Sequence, residues 1–188
     1  MPGKQGTSML LYFMRHADAG DSNVWRGEDA ARPLTVKGRM QAREAASGLA
    51  HLRPPIQAVI SSPYSRAYET AVIVAKELGL PVQSADELTP GFDLARLDRA
   101  LALRPSLDIL LLVGHEPDLS HLIVQLARPH GEHAPDVTMK KGSCCLVLTP
   151  STLPGGASAA ELAGVCEISW IRTWRELADL RENTDPLT

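Results

Sequence analysis

The sequence predicts an α/β fold, a three-layer α/β/α sandwich around a mostly parallel sheet. Three observations predict it. Two continuous apolar runs, residues 9–14 and 108–113, have the pattern of strands buried on both faces. Strand-like and helix-like segments alternate along the chain, as parallel crossovers require. Chemistry-bearing residues stand just past the ends of the strand-like runs, where a parallel sheet presents groups to one pocket.

Each element has its own signal. The apolar run at residues 9–14 ends in Arg15 and His16. Thr35 can cap a helix reaching about Leu52, with Ala42, Ala45, Ala46 and Leu49 inward, and Pro54-Pro55 stops it. Residues 56–60 form a second short strand. Ser62 is the expected N-cap and Pro63 the first helical position of the next helix. Ala67, Ala71, Val74 and Leu78 share one face of it, and Gly79 closes it. Residues 81–83 read as a weak strand and residues 94–103 as a helix. After the strand at residues 108–113, Pro117 starts a helix with Leu119, Leu122, Ile123 and Leu126 inward. Residues 128–136 read as a loop. Residues 143–149 and 164–170 are expected as an antiparallel strand pair across Pro154-Gly155-Gly156, followed by a short helix over about residues 173–181. The expected organisation is a loose leader at residues 1–8, a single domain over 9–182 and a polar tail at 183–188.

Composition narrows the function. The chain has 188 residues, 44% hydrophobic and 22% charged, ordinary values for a globular chain. A net charge of −3 argues against a nucleic-acid or membrane-surface partner. No apolar run approaches the ~20 residues that span a bilayer, and the N-terminus lacks the apolar core of a signal peptide. Cys144, Cys145 and Cys166 form no even framework, so reduced core thiols in a cytoplasmic protein are the simplest account. No Walker-type glycine loop occurs, which excludes P-loop nucleotide hydrolysis. His130-x-x-His133, with Glu132 and Asp136 nearby, lacks a ligand set at zinc spacing; no metal and no cofactor is expected. His51 and His121 fall on helices, at the surface or an edge. Trp170 and Trp174 suggest a packed C-terminal edge.

Four short pieces carry the chemistry. They are Arg15-His16; Arg32-Pro33-Leu34-Thr35-x-x-Gly38; Ser61-Ser62-Pro63-x-x-Arg66-Ala67-x-Glu69-Thr70; and Gly114-His115-Glu116-Pro117. Two guanidiniums match phosphate oxygens bidentately, which lysine cannot do. A neutral imidazole beside them makes a nucleophile, provided its second nitrogen donates to a backbone carbonyl. His16 is that nucleophile, Arg15 and Arg66 are the clamps, and His115, protonated, is the second imidazole on the phosphoryl group. The bland alternatives are a histidine ending a strand, two solvated arginines and a satisfied core histidine. Gly114 is expected to let the backbone approach a ligand closely, and Ser61 or Ser62 to add a hydroxyl or amide to the anion site.

The ordered set resembles the histidine phosphatase superfamily, the phosphoglycerate-mutase-like fold, over roughly residues 9 to 148. The R-P-L-T-x-x-G segment, E-L-T-P and G-H-E-P resemble its small branch, the SixA-type phosphohistidine phosphatases. Ala17 departs from the glycine many members carry there. The resemblance implies a metal-independent phosphatase acting on a phosphohistidine-bearing protein in signal transduction, through a covalent phosphohistidine, with phosphate as product. It implies Arg32 as a substrate-side residue, although a surface charge reads equally well. It also implies a possible general acid at Glu87, with Asp86, Asp18, Asp21 and Glu116 as rivals. An imidazole leaving group needs little acid help because it protonates readily in water. The alternatives are a phosphatase of a small phosphomonoester and a non-catalytic phosphoprotein-binding module.

Overall fold

The computed structural model describes residues 8–104, 106–128, 135–152 and 157–180. Residues 1–7 of the expected leader, the tail at 183–188, the Pro154-Gly155-Gly156 turn, Glu132 and the His130/His133 pair lie outside them. The apolar run near the N-terminus becomes β1 (Leu10–Arg15), and the second run becomes β4 (Ile109–Gly114). They pair in parallel at the centre of a six-stranded sheet of order β3-β2-β4-β1-β5-β6. β2 (Ala58–Ser61) and β3 (Val82–Ser84) extend the parallel part. β5 (Cys144–Leu148) runs antiparallel to β1, and β6 (Glu167–Arg172) antiparallel to β5.

Strand alternation separates two apolar layers. Leu11, Phe13, Leu110 and Leu112 pack with α3 (Leu94–Ala102), α4 (Asp118–Leu126) and α5 (Ala159–Leu162). Leu10, Tyr12, Met14 and Leu111 pack with α1 (Val36–Leu49), α2 (Ser65–Leu78) and α6 (Trp174–Ala178). The α/β/α sandwich expected from the sequence is the architecture observed.

Local chemistry sets the ends. Thr35 Oγ1 accepts from the Gly38 amide and starts α1, with Ala42, Ala45, Ala46 and Leu49 buried as the spacing predicts. Gly79 adopts φ 68° and ends α2. Asp93 caps α3. Several boundaries shift from the sequence reading, and one element is new. α2 begins at Ser65, not Pro63; Ser62 Oγ accepts from the Tyr64 amide at 3.3 Å and does not cap the helix. Between β5 and β6 lies α5, started by a Ser158/Glu161 capping box that the glycine-rich turn nearby obscured.

The three cysteines are buried thiols, and burial pushes Cys145 up to about 12 and Cys166 up to about 11, so neither is a thiolate at neutral pH. Trp170 packs against Tyr12 with ring centroids 5.9 Å apart, the packed edge the sequence suggested. Among the described residues, no helix is long and apolar enough to cross a membrane.

Candidate active site

Strand register assembles the site. Arg15 pairs with Gly114 across β1 and β4, so the next residues, His16 and His115, emerge side by side. Ser61 pairs with Val113, which brings Ser62 to the same level. The two imidazole centroids stand 5.3 Å apart. Because β5 is antiparallel to β1, the segment entering it reaches the same end of the sheet, with the Gly142 amide donating to His16 O at 3.2 Å.

His16 is oriented on both nitrogens. Its Nδ1 lies 2.8 Å from Ala17 O. A carbonyl only accepts, so the proton is on Nδ1 and the lone pair on Nε2. Arg66 Nε donates to that Nε2 at 3.2 Å. The loop is tied to α2 through Thr70, whose Oγ1 accepts from the Ala17 amide at 3.1 Å and donates to Arg66 O at 2.7 Å. Ala17 itself is buried with Ala19, Leu34 and Ala42, which accommodates the methyl group that stands in place of glycine.

The electrostatics favour a neutral nucleophile. Burial lowers His16 to about 4, assisted by Arg66, Arg15 and Arg32 and opposed by the Ala17 carbonyl. An imidazole in this tautomer and charge state is a competent nucleophile at neutral pH.

His115 departs from the protonated form expected of it. Burial, then His16 and Arg66, lower it to about 3. Its Nε2 lies 2.9 Å from Ser62 Oγ, while Nδ1 and Arg15 Nε are buried without a partner among the described residues. A neutral His115 that accepts from Ser62 at Nε2 presents an N–H at Nδ1, so no imidazolium is needed for donation.

The cavity around these groups measures about 490 Å³ and is lined by Arg15, His16, Arg32, Arg66, His115 and Lys141, with Asp21 and Glu116 adding carboxyl groups. Ser62 and Gly114 do not line it. A Cβ on Gly114 would meet Leu119 Cδ2 at 3.4 Å and Leu88 O at 3.7 Å, so the glycine faces the α4 side and not a ligand. Glu87 does not line the cavity either; its Oε1 lies 4.0 Å from Arg99 Nε. Glu116 does, with Oε1 accepting from Ser120 at 2.8 Å, and burial raises its pKa. A larger cavity, about 590 Å³, opens at the β5–β6 edge, and no motif residue reaches it.

Two lining or supporting charges escaped the sequence reading. Lys141 Nζ contacts Asp18 Oδ1 at 2.7 Å beside the cavity. Asp29, on a 3-10 turn at Asp29–Ala31, contacts Arg66 Nη2 at 2.9 Å and Arg32 Nε at 3.0 Å. An acid three residues before Arg32 was the available signal for Asp29. For Lys141 the signal lay in an antiparallel β1–β5 pairing that local patterns do not reveal. Glu69 of the motif turns outward to Arg39 at 2.6 Å. Among the described residues, no three His, Cys, Asp or Glu side chains gather where they could hold one ion.

Residues 11–89 match the histidine phosphatase superfamily (branch 1). SixA, the phosphohistidine phosphatase of Escherichia coli K12, is 31% identical over 122 residues, 63% of this chain and 74% of SixA. The chain belongs to the histidine phosphatase superfamily. Within it, an uncharacterised protein of Picosynechococcus is 36% identical over 138 residues, 71% of this chain and 81% of that protein. The protein histidine phosphatase SixA complexed with tungstate superposes with a TM-score of 0.69 at 25% identity, covering 88% of this chain and 97% of that one. A mycobacterial glucosyl-3-phosphoglycerate phosphatase shares the fold at 18% identity, with a TM-score of 0.61 over 86% of this chain and 97% of its own.

Proposed function

We propose that this superfamily member is a protein phosphohistidine phosphatase working through phospho-His16. The observation that carries the reading is the buried, neutral His16, whose Nε2 lone pair faces the Arg66 guanidinium. In the first step Nε2 attacks phosphorus and the substrate P–N bond breaks. The leaving imidazole takes its proton from solvent. In the second step water attacks phosphorus, the P–Nε2 bond breaks, and inorganic phosphate leaves with His16 restored.

Arg15, Arg66 and His115, which line the cavity, hold the non-bridging oxygens. Such donors stabilise the transition state more than they would in water. Ser62 acts through His115 by orienting its ring through the 2.9 Å contact between Oγ and Nε2. Arg32 and Lys141 add positive charge at the rim.

The choice of phosphohistidine rests on three supports. The SixA relatives carry that activity in their names. Glu87, the carboxyl group in the place expected of an acid for alcohol leaving groups, stands outside the cavity. An imidazole leaves without such help. Turnover of a phosphohistidine protein, measured against a panel of phosphate monoesters on the same preparation, tests the reading. Preference for phosphohistidine supports it. Preference for one small ester overturns the substrate, and binding without turnover of either overturns catalysis.

A further inference from the structure

Asp29 is linked to the cavity through both of its faces. Its Oδ2 lies 2.9 Å from Arg66 Nη2, and its backbone oxygen accepts from Arg66 Nη1 at 2.7 Å. Its Oδ1 lies 3.0 Å from Arg32 Nε. Arg32 is anchored further by Nη1 donating to Ala19 O at 3.0 Å. One acid thus touches two of the three arginines lining the cavity, and it belongs to none of the motif positions that chemistry first singles out.

The geometry constrains Arg66 in a specific way. A guanidinium is planar and presents its donors in a fixed fork. With Nη1 and Nη2 both turned toward Asp29, the edge left for His16 is the Nε edge, and Nε is the atom 3.2 Å from His16 Nε2. Rotation of the guanidinium within its plane would lose two contacts to Asp29 to gain one elsewhere. The Asp29 carboxyl is held below its usual value: burial opposes this, but the contacts with Arg32 and Arg66 outweigh it.

We propose that Asp29 is the positioning residue of this site, fixing Arg66 edge-on to the nucleophile and Arg32 at the cavity rim. It acts through the arginines and touches neither His16 nor a substrate. Its side chain is 54% exposed, so it is not a core residue and its removal should leave the fold intact.

The proposal rests on the phosphatase reading, and its test separates the two. Phosphoimidazole serves as substrate and inorganic phosphate as product inhibitor. Loss of geometry at a clamp far smaller than loss of the clamp itself should cost about ten- to a hundredfold in kcat for Asp29→Asn, with less change in KM. The thermal midpoint should stay at the wild-type value. Combining Asp29→Asn with Arg66→Lys should cost no more than Arg66→Lys alone, because both act through one guanidinium. Wild-type kcat in Asp29→Asn, or fully multiplicative losses in the double variant, overturns the proposal and leaves the phosphatase reading standing. Tighter phosphate inhibition with undiminished kcat also overturns it, since Asp29 would then be competing with phosphate for the arginines. A wild-type chain that neither cleaves phosphoimidazole nor binds phosphate overturns both.

Discussion

Arg66 Nε donates to His16 Nε2 across 3.2 Å, while the other ring nitrogen, Nδ1, donates to Ala17 O across 2.8 Å. The imidazole is therefore held by a donor and an acceptor that agree on one tautomer. In the proposed reaction a phosphoryl group arriving at Nε2 would displace that Arg66 contact and receive the same N–H. The guanidinium is thus in place before the reaction and needs little reorganisation during it.

Arg66→Lys keeps the charge but loses the fork. We expect it to lose more than about a hundredfold in kcat/KM, roughly 2.7 kcal/mol of barrier. A variant within about threefold of wild type, ~0.7 kcal/mol, would place Arg66 outside the reaction.

Covalent chemistry at His16 predicts a phosphoenzyme. Quenching turnover without acid should trap label that is acid-labile and base-stable, and His16→Ala should trap none. Wild-type turnover by His16→Ala would remove the mechanism.

The two low histidine pKa values make a stability prediction whose sign is fixed. His16 and His115 titrate at about 4 and about 3 in the folded chain, and at about 6.5 unfolded. Between those values the unfolded chain binds more protons, so stability is full above ~6.5 and falls as pH drops toward the folded values. Each buried imidazole steepens that fall by at most about 1.4 kcal/mol per pH unit. Urea unfolding of His115→Gln should therefore vary less between pH 7 and pH 5 than that of wild type. Parallel curves would show that His115 titrates normally in the folded protein.

Much of this was legible in the sequence, because strong local patterns coincide with the site. The two apolar runs are the central strands, and their ends carry Arg15, His16 and His115. The misreadings share a cause. Ser62 looked like a cap because Ser-Pro commonly begins a helix, yet its hydroxyl also contacts His115, which only the β2–β4 register reveals. Gly114 looked like a ligand-side glycine, whereas it does not line the cavity and the place of a Cβ on it faces Leu119 and Leu88 O. Lys141 and Asp29 depend on long-range placement, and the charge state of His115 depends on a burial that no local motif encodes.

Gly38 shows the same dependence in a form that stability can test. A Cβ there would sit 2.0 Å from Asp18 O, so the first turn of α1 lies directly against the loop after His16. Asp18 O also accepts from the Thr35 amide at 2.9 Å. Gly38→Ala must push the two apart, and overpacking of this kind costs about 1–3 kcal/mol. Chemical unfolding should show that loss together with reduced activity, since the displaced loop carries His16. An unchanged unfolding midpoint would mean the approach is looser than described.

The leaving group decides between the two carboxyl groups near the site. Glu87 stands outside the cavity, near Arg99, while Glu116 lines it with a raised pKa. General acid help is worth about 10²–10⁴-fold and matters most for basic leaving groups. For phosphohistidine, Glu87→Gln should cost little, within about tenfold. If a proton donor assists any residual alkyl phosphate turnover, position favours Glu116, so Glu116→Gln should depress alkyl phosphates more than phosphohistidine. The measurement is kcat/KM for both substrate classes with wild type and the two variants. A collapse of alkyl phosphate turnover in Glu87→Gln would require Glu87 to swing into the cavity, and efficient wild-type turnover of that ester would then favour a small-molecule substrate. Equal losses on both classes in Glu116→Gln would instead give Glu116 a binding role beside Arg15.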